Sequence, residues 1–170
     1  MEIINGERLV LGTCYYPEHW DESLWRDDLR RMLENGIEVI RIAEFAWSKI
    51  ERYEGVFNYD FYDKFLDLAE EMGMKVIFCT PTATPPAWLT EKYPEVLNAN
   101  IDGVLYRHGG RRHYNYNSPK YQELTRIIVE KSASHYAKHP AIIGWQIDNE
   151  INCEKDEFYS ESDTIAFRKF

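Results

Sequence analysis

The chain of 170 residues is 44% hydrophobic and 15% aromatic, enough for one compact domain with a sizeable core. Its 29 acidic side chains against 20 basic ones give a net charge of −9, which disfavours nucleic acid and anionic membranes as partners and leaves a neutral small molecule as the better fit. No apolar run approaches the ~18 residues of a membrane span, and the opening "MEIINGERLVLG" lacks a basic stretch followed by an apolar one; the expectation is a soluble, cytoplasmic protein.

Four apolar runs have strand length and composition: Leu9 to Tyr16, Glu38 to Ile42, Lys75 to Thr80 and Ala141 to Asp148. Helical patterns separate them. Asp21 is a suitable N-cap for a helix whose apolar stripe is Trp25, Leu29, Met32 and Leu33, closed by Gly36. Phe61, Phe65, Leu68, Ala69 and Met72 repeat the spacing and stop at Gly73. Ser118 and Pro119 form an N-cap and N1 pair for a third helix with Leu124, Ile127 and Ile128 inward, ending before "KHP" at 138–140. A last helix is expected from about Ser162.

The order β-α-β-α-β-α-β calls for a parallel sheet. In the fourth strand Ile143, Trp145 and Ile147 share one face, whereas Gly144, Gln146, Asp148 and Glu150 share the other. In the second, Ile40 and Ile42 oppose Arg41 and Ala43. An open sheet covered by helices on both sides should be apolar on both faces. A polar inner face fits a (β/α)8 barrel instead. A doubly wound sheet is the alternative, weakened by the lack of GxGxxG or GxxxxGK[ST] after any strand.

Barrels of this kind gather their functional groups at the C-terminal ends of the strands. Those ends here read "CYYPEHW", "EFAW", "TPTATPPAW" and "DNE", with Trp20, Trp47, Trp88 and Trp145 close by. Carboxylates, an amide and aromatic rings around one mouth suit a carbohydrate, whose hydroxyls take hydrogen bonds and whose C–H faces take rings. Core packing is the competing role for each tryptophan taken singly. Cys14, Cys79 and Cys153 form no CxxC pair, so neither a disulfide framework nor a zinc knuckle is indicated, and Cys14 and Cys79 read as small core residues. His19, His108, His113, His135 and His139 show no HExxH or facial-triad spacing; neither a catalytic metal nor another cofactor is expected.

The stretches "LGTCYYPEHW", "VIRIAEFAWS", "TPTATPPAWL", "GGRRHYNYNSP" and "GWQIDNE", in this order, resemble the N-terminal part of family 42 glycoside hydrolases, microbial β-galactosidases with a (β/α)8 retaining barrel. The resemblance implies that Glu150 is the acid/base, that Asn149 contacts the 2-hydroxyl of a terminal β-D-galactose, and that Arg111 binds substrate. A glutamate at such a mouth, desolvated by aromatic neighbours, would have its pKa raised as a proton donor requires. Arg41 and Glu44 belong to the same site, either touching sugar or paired as a structural ion pair. The alternative for Arg111 and Arg112 is a solvated surface pair. Some family members hold a structural zinc through cysteines; Asn115 stands at one of those positions and only Cys153 follows Glu150, so that zinc is not expected here. A homotrimer is a further implication of the resemblance.

A (β/α)8 barrel takes ~250 residues. The expected fold class is therefore α/β, the first four β/α units of a TIM barrel, with residues 1–170 as its N-terminal half. The clan's nucleophile ends strand seven, which this sequence does not contain. Two carboxyl groups roughly 5–5.5 Å apart are needed for retention, and Glu44 does not read as the second. The alternative is a half-barrel without catalysis, binding sugar or pairing its open edges with a second copy.

Overall fold

The computed structural model describes residues 9–110, 112–151 and 157–170. Four strands, β1 (Leu11–Cys14), β2 (Ile37–Ile42), β5 (Lys75–Cys79) and β6 (Ile142–Gln146), form one parallel sheet in the order β1-β2-β5-β6. Each lies beside the strand that follows it in this sheet, the common arrangement for consecutive β-α-β units. At the β1–β2 join a Cβ on Gly12 would sit 3.0 Å from the Val39 carbonyl oxygen, a tighter contact than side chains usually make, so glycine suits this approach.

Three helices cover one face. In α1 (Trp25–Glu34), Trp25 and Leu29 are buried, with Met32 and Leu33 packed at the margin. Asp21 does cap, accepting from the Ser23 amide, but it opens a 3-10 turn over Glu22–Leu24, and the α-helix begins one turn later than the sequence suggests. In α3 (Asp60–Met72) the buried stripe is Tyr62, Phe65, Leu66 and Ala69; Phe61, Leu68 and Met72 flank it. Gly73 ends it at φ 79°, a conformation that strains any residue with a Cβ. In α5 (Pro119–Tyr136) the Ser118 hydroxyl caps the Tyr121 amide, and Tyr121, Leu124 and Ile128 face the core. With Ile40, Ile42, Val76 and Phe78 from the sheet these form one continuous apolar layer.

Four short elements escape the sequence periodicity: α2 (Trp47–Ile50), the hairpin β3 (Glu51–Tyr53) with β4 (Val56–Phe57), and α4 (Ala87–Lys92). All follow strand ends, so they sit around the rim. The last helix, α6 (Glu161–Lys169), starts from Ser160 through a capping box with Asp163. No helix among the described residues is long and apolar enough to cross a membrane.

The other sheet face carries Cys14, Val39, Arg41 and Ile77, which line a shallow open cleft. The polar alternation of the sequence is met by Arg41, whose guanidinium reaches Cys14 on the neighbouring β1 and, across β5, Gln146 on β6. Alternation stops at Gln146, however. Asp148 and Glu150 have φ of 55° and 49°, so they leave the pleat, and Ile147 is 71% exposed instead of following Ile143 and Trp145. Ala43, at φ 74°, likewise turns out of β2.

Candidate active site

Among the described residues, four non-glycines have positive φ: Ala43, Arg112, Asp148 and Glu150. Ala43 follows the C-terminal end of β2, Asp148 and Glu150 follow that of β6, and Arg112 contacts the latter two. Such backbone costs of order 1–3 kcal/mol per residue and persists where surrounding contacts over-determine it, commonly at functional sites.

The Asp148–Glu150 turn is held from three sides. The Asp148 amide donates to the Thr80 hydroxyl at 2.7 Å, and its carboxylate accepts from the Thr82 hydroxyl at 2.8 Å. The Asn149 amide donates to Asp148 Oδ1 at 2.6 Å. Arg112, only 3% exposed, donates to Asp148 Oδ1 at 3.3 Å, to the main-chain carbonyls of Asn149 and Glu150, and to the hydroxyls of Tyr114 (2.5 Å) and Tyr116 (2.6 Å). Burial opposes its charge, but Tyr114, Tyr116 and Asp148 outweigh that and raise its pKa. The solvated surface role considered for it is thus corrected. Arg111 lies outside the described residues.

A second group converges on Glu44, which is fully buried. Tyr16 and Arg41 both donate to its Oε1 at 2.8 Å. Burial, then the Glu44 carboxylate, pushes the Tyr16 hydroxyl up to about 12 and the Cys79 thiol up to about 12. Gln146 joins the two groups. Its carbonyl accepts from Arg41 at 2.8 Å, while its amide nitrogen donates to the Asp148 carbonyl at 2.8 Å and to Asn149 Oδ1 at 3.3 Å. With its oxygen so engaged, the Asn149 side chain turns its Nδ2 into the role of donor. Glu150 is exposed, so the desolvation expected around it is not present in this chain.

Beside Asn149 opens a cleft of about 400 Å³, lined by Phe45, Thr84, Pro85, His108, Arg112 and His113. Phe45 stacks on Tyr16 with centroids 5.9 Å apart, and Tyr16 on His19 at 5.2 Å, giving an aromatic row along the rim. The tryptophans behave differently from the platforms expected. Trp47 is fully buried with its indole N–H on Glu51 at 2.7 Å, Trp88 donates to the Glu51 carbonyl, and Trp145 packs on Phe78; Trp20 alone of the four is exposed. Burial lowers the pKa of His113, whose Nδ1 faces the Gly110 carbonyl at 2.6 Å. Among the described residues the one group compact enough for a cation, Asp67, Glu70 and His139, lies at the opposite end of the sheet. There His139 Nδ1 accepts the Ala141 amide at 3.3 Å, which leaves the ring proton on the nitrogen turned toward Asp67.

A family model described as beta-galactosidase, of the family 42 glycoside hydrolases, matches residues 14–170. The chain belongs to glycoside hydrolase family 42. It is 42% identical over 159 residues to the beta-galactosidase Bga of Halorubrum lacusprofundi, covering 93% of this chain and 23% of that protein. It is 46% identical over 144 residues to the beta-galactosidase BgaA of a Thermus species, covering 85% and 22%. The crystal structure of a beta-galactosidase from the psychrophilic Marinomonas ef1 superposes with a TM-score of 0.91 at 42% identity, over 95% of this chain and 25% of that one. The chain therefore spans about a quarter of the length of the family 42 relatives it matches.

Within this family 42 chain the structure brings Asn149 and Glu150 onto one turn and ties Arg41 and Glu44 to it through Gln146. Sequence reasoning missed Tyr16, Thr82 and the buried role of Arg112. A signal for Arg112 existed in "RRHYNY", where tyrosines two and four residues on can both reach one guanidinium, but only tertiary contact shows which arginine turns inward. Asn115 is fully buried and donates to Ser160 and Asp163 at the start of α6.

Proposed function

We propose that this chain supplies the first four β/α units of the (β/α)8 catalytic barrel of a retaining β-galactosidase, which removes terminal non-reducing β-D-galactose residues from β-galactosides. Glu150 is its acid/base, and the nucleophilic carboxylate comes from sequence outside these 170 residues. The observation that carries the reading is the Asn149–Glu150 pair on a braced, left-handed turn at the C-terminal end of β6, in a family 42 chain.

In the first step the Glu150 carboxyl gives its proton to the glycosidic oxygen as the bond from that oxygen to the anomeric carbon breaks, and the nucleophile forms an ester with that carbon. In the second, the Glu150 carboxylate takes a proton from water, whose oxygen displaces the ester and returns the nucleophile to its ionised form. Asn149 Nδ2 donates to the sugar 2-hydroxyl, a bond that strengthens as positive charge develops on the ring. Arg111 binds substrate hydroxyls. Arg41 and Glu44, paired with each other, hold Gln146 and through it Asn149, so their part is architecture more than sugar contact. Glu44 makes a poor nucleophile because its side chain is fully buried beneath Arg41 and Tyr16, away from a sugar in the cleft. The enzyme belongs in the cytoplasm and assembles as a homo-oligomer, a trimer by family likeness.

A non-catalytic half-barrel that binds sugar or pairs with a second copy is the competing reading, favoured by β1, whose four residues are all exposed. Hydrolysis of an aryl β-galactoside decides between them, measured for the 170-residue chain and for a polypeptide extended through the remaining strands, each beside Glu150→Gln. Turnover by the extended protein, lost in its Glu150→Gln form on substrates with poor leaving groups, supports the enzyme. Turnover by neither form sinks it.

A further inference from the structure

We infer that Arg112 is the positioning residue for the acid/base: it clamps the main chain of the Asp148–Glu150 turn and so fixes where the Glu150 carboxyl stands. The inference rests on reading Glu150 as the acid/base.

A guanidinium offers five donors in a rigid plane and no acceptor, which suits it to gather several oxygens around one point. Arg112 gathers the Asn149 and Glu150 carbonyls, Asp148 Oδ1, and the Tyr114 and Tyr116 hydroxyls. The carbonyls matter most. Asp148 and Glu150 are both in the left-handed region, a backbone that relaxes unless contacts hold it. Side-chain bonds from Thr80 and Thr82 reach only Asp148, at the start of the turn. Arg112 reaches further, to the Glu150 main chain itself. Its own backbone is also left-handed, at φ 56°, so the loop that presents it is shaped for this contact. Tyr114 is fully buried and stacks on Tyr121 at 4.8 Å, which anchors the arginine's far side in the core. A lysine has one charged nitrogen on a flexible stem and cannot span the two carbonyls and the carboxylate in one plane.

A merely structural arginine and a positioning one differ in which substrates suffer. Aryl galactosides with a strongly activated phenol need little protonation of the leaving oxygen, whereas alkyl galactosides depend on it. The test uses the catalytically active enzyme that contains this chain, with Arg112→Lys, Arg112→Met and Glu150→Gln compared on a dinitrophenyl and an alkyl β-galactoside. The expected result is a fall in kcat/KM of about 100-fold on the alkyl substrate for Arg112→Met, the lower end of what a general acid contributes, with less than about fivefold on the dinitrophenyl one. Arg112→Lys recovers part of it. Equal losses on both substrates overturn the inference.

Amide hydrogen exchange supplies the second arm and needs no activity. Exchange at residues 148–151 in the enzyme that contains this chain is expected to accelerate at least about tenfold in Arg112→Lys while the β2 and β5 amides keep their protection. Unchanged exchange there overturns the inference whatever the kinetics show. If Glu150→Gln itself shows no leaving-group dependence, the acid/base reading fails, and exchange still decides whether Arg112 holds the turn. Should Arg112→Met not fold, Arg112→Lys and the Tyr114→Phe, Tyr116→Phe double variant carry both arms.

Discussion

Arg41 and Glu44, three residues apart, meet at 2.8 Å across the left-handed turn at Ala43, with Glu44 fully buried and the Arg41 side chain 31% exposed. The turn exists so that a carboxylate leaving β2 can fold back beneath its own strand's arginine. Removing one partner of a fully buried pair costs roughly 3–5 kcal/mol, because the other charge is left uncompensated. Arg41 keeps some water, so Glu44→Gln is expected to cost about 2–3 kcal/mol, below that range. Urea unfolding of the two proteins measures it, and a difference under about 0.5 kcal/mol would mean solvent already screens the pair.

Thr82 places one hydrogen bond, at 2.8 Å, on the buried Asp148 carboxylate. Thr82→Val keeps the shape and deletes the donor. A hydrogen bond to a charged group contributes about 1.5–3 kcal/mol, and that much stability should disappear in thermal or urea unfolding. Serine at the same position should restore most of it.

Glu18 bears on pH dependence in the acid range. Its Oε2 is buried without a hydrogen-bond partner, and burial raises its pKa above the usual 4.5. A carboxyl with a raised folded-state pKa favours the fold while protonated, below its unfolded value, and opposes it once pH climbs through the folded value. Glu18→Gln should therefore raise Tm at pH 8, and the gain should vanish below about pH 4. A gain that persists in acid would point to a cause other than ionisation.

On the alkaline side Cys79 and Tyr16 contribute, alongside other buried tyrosines whose pKa burial also raises. The folded-state values of Cys79 and Tyr16, about 12, stand above the ordinary 9.0 and 10.0, so the stability these two contribute is complete below those values and is lost as pH rises toward about 12. Tm should fall through this interval, less steeply in Tyr16→Phe between pH 10 and 12. The same burial separates the thiols. In a Cys153→Ser background of the 170-residue chain, a thiol reagent at pH 8 should label exposed Cys14 and spare Cys79 until the protein unfolds.

The sequence by itself determined the four-strand parallel order, the three covering helices and most of their ends, because those follow from periodicity and from residues such as Ser118, Gly36 and Gly73 that act within one turn of themselves. It also determined that Asn149 and Glu150 follow the C-terminal end of a strand, and the family they resemble. Tertiary structure decided what those residues rest on. Alternation cannot report that β6 ends at Gln146 and that Asp148 and Glu150 turn left-handed, since the contacts that hold this backbone come from Thr80, Thr82 and Arg112, dozens of residues away. Nor could composition tell that Trp47 is core while Phe45 and Tyr16 line the rim, because an aromatic ring fits either place and only the surrounding volume selects.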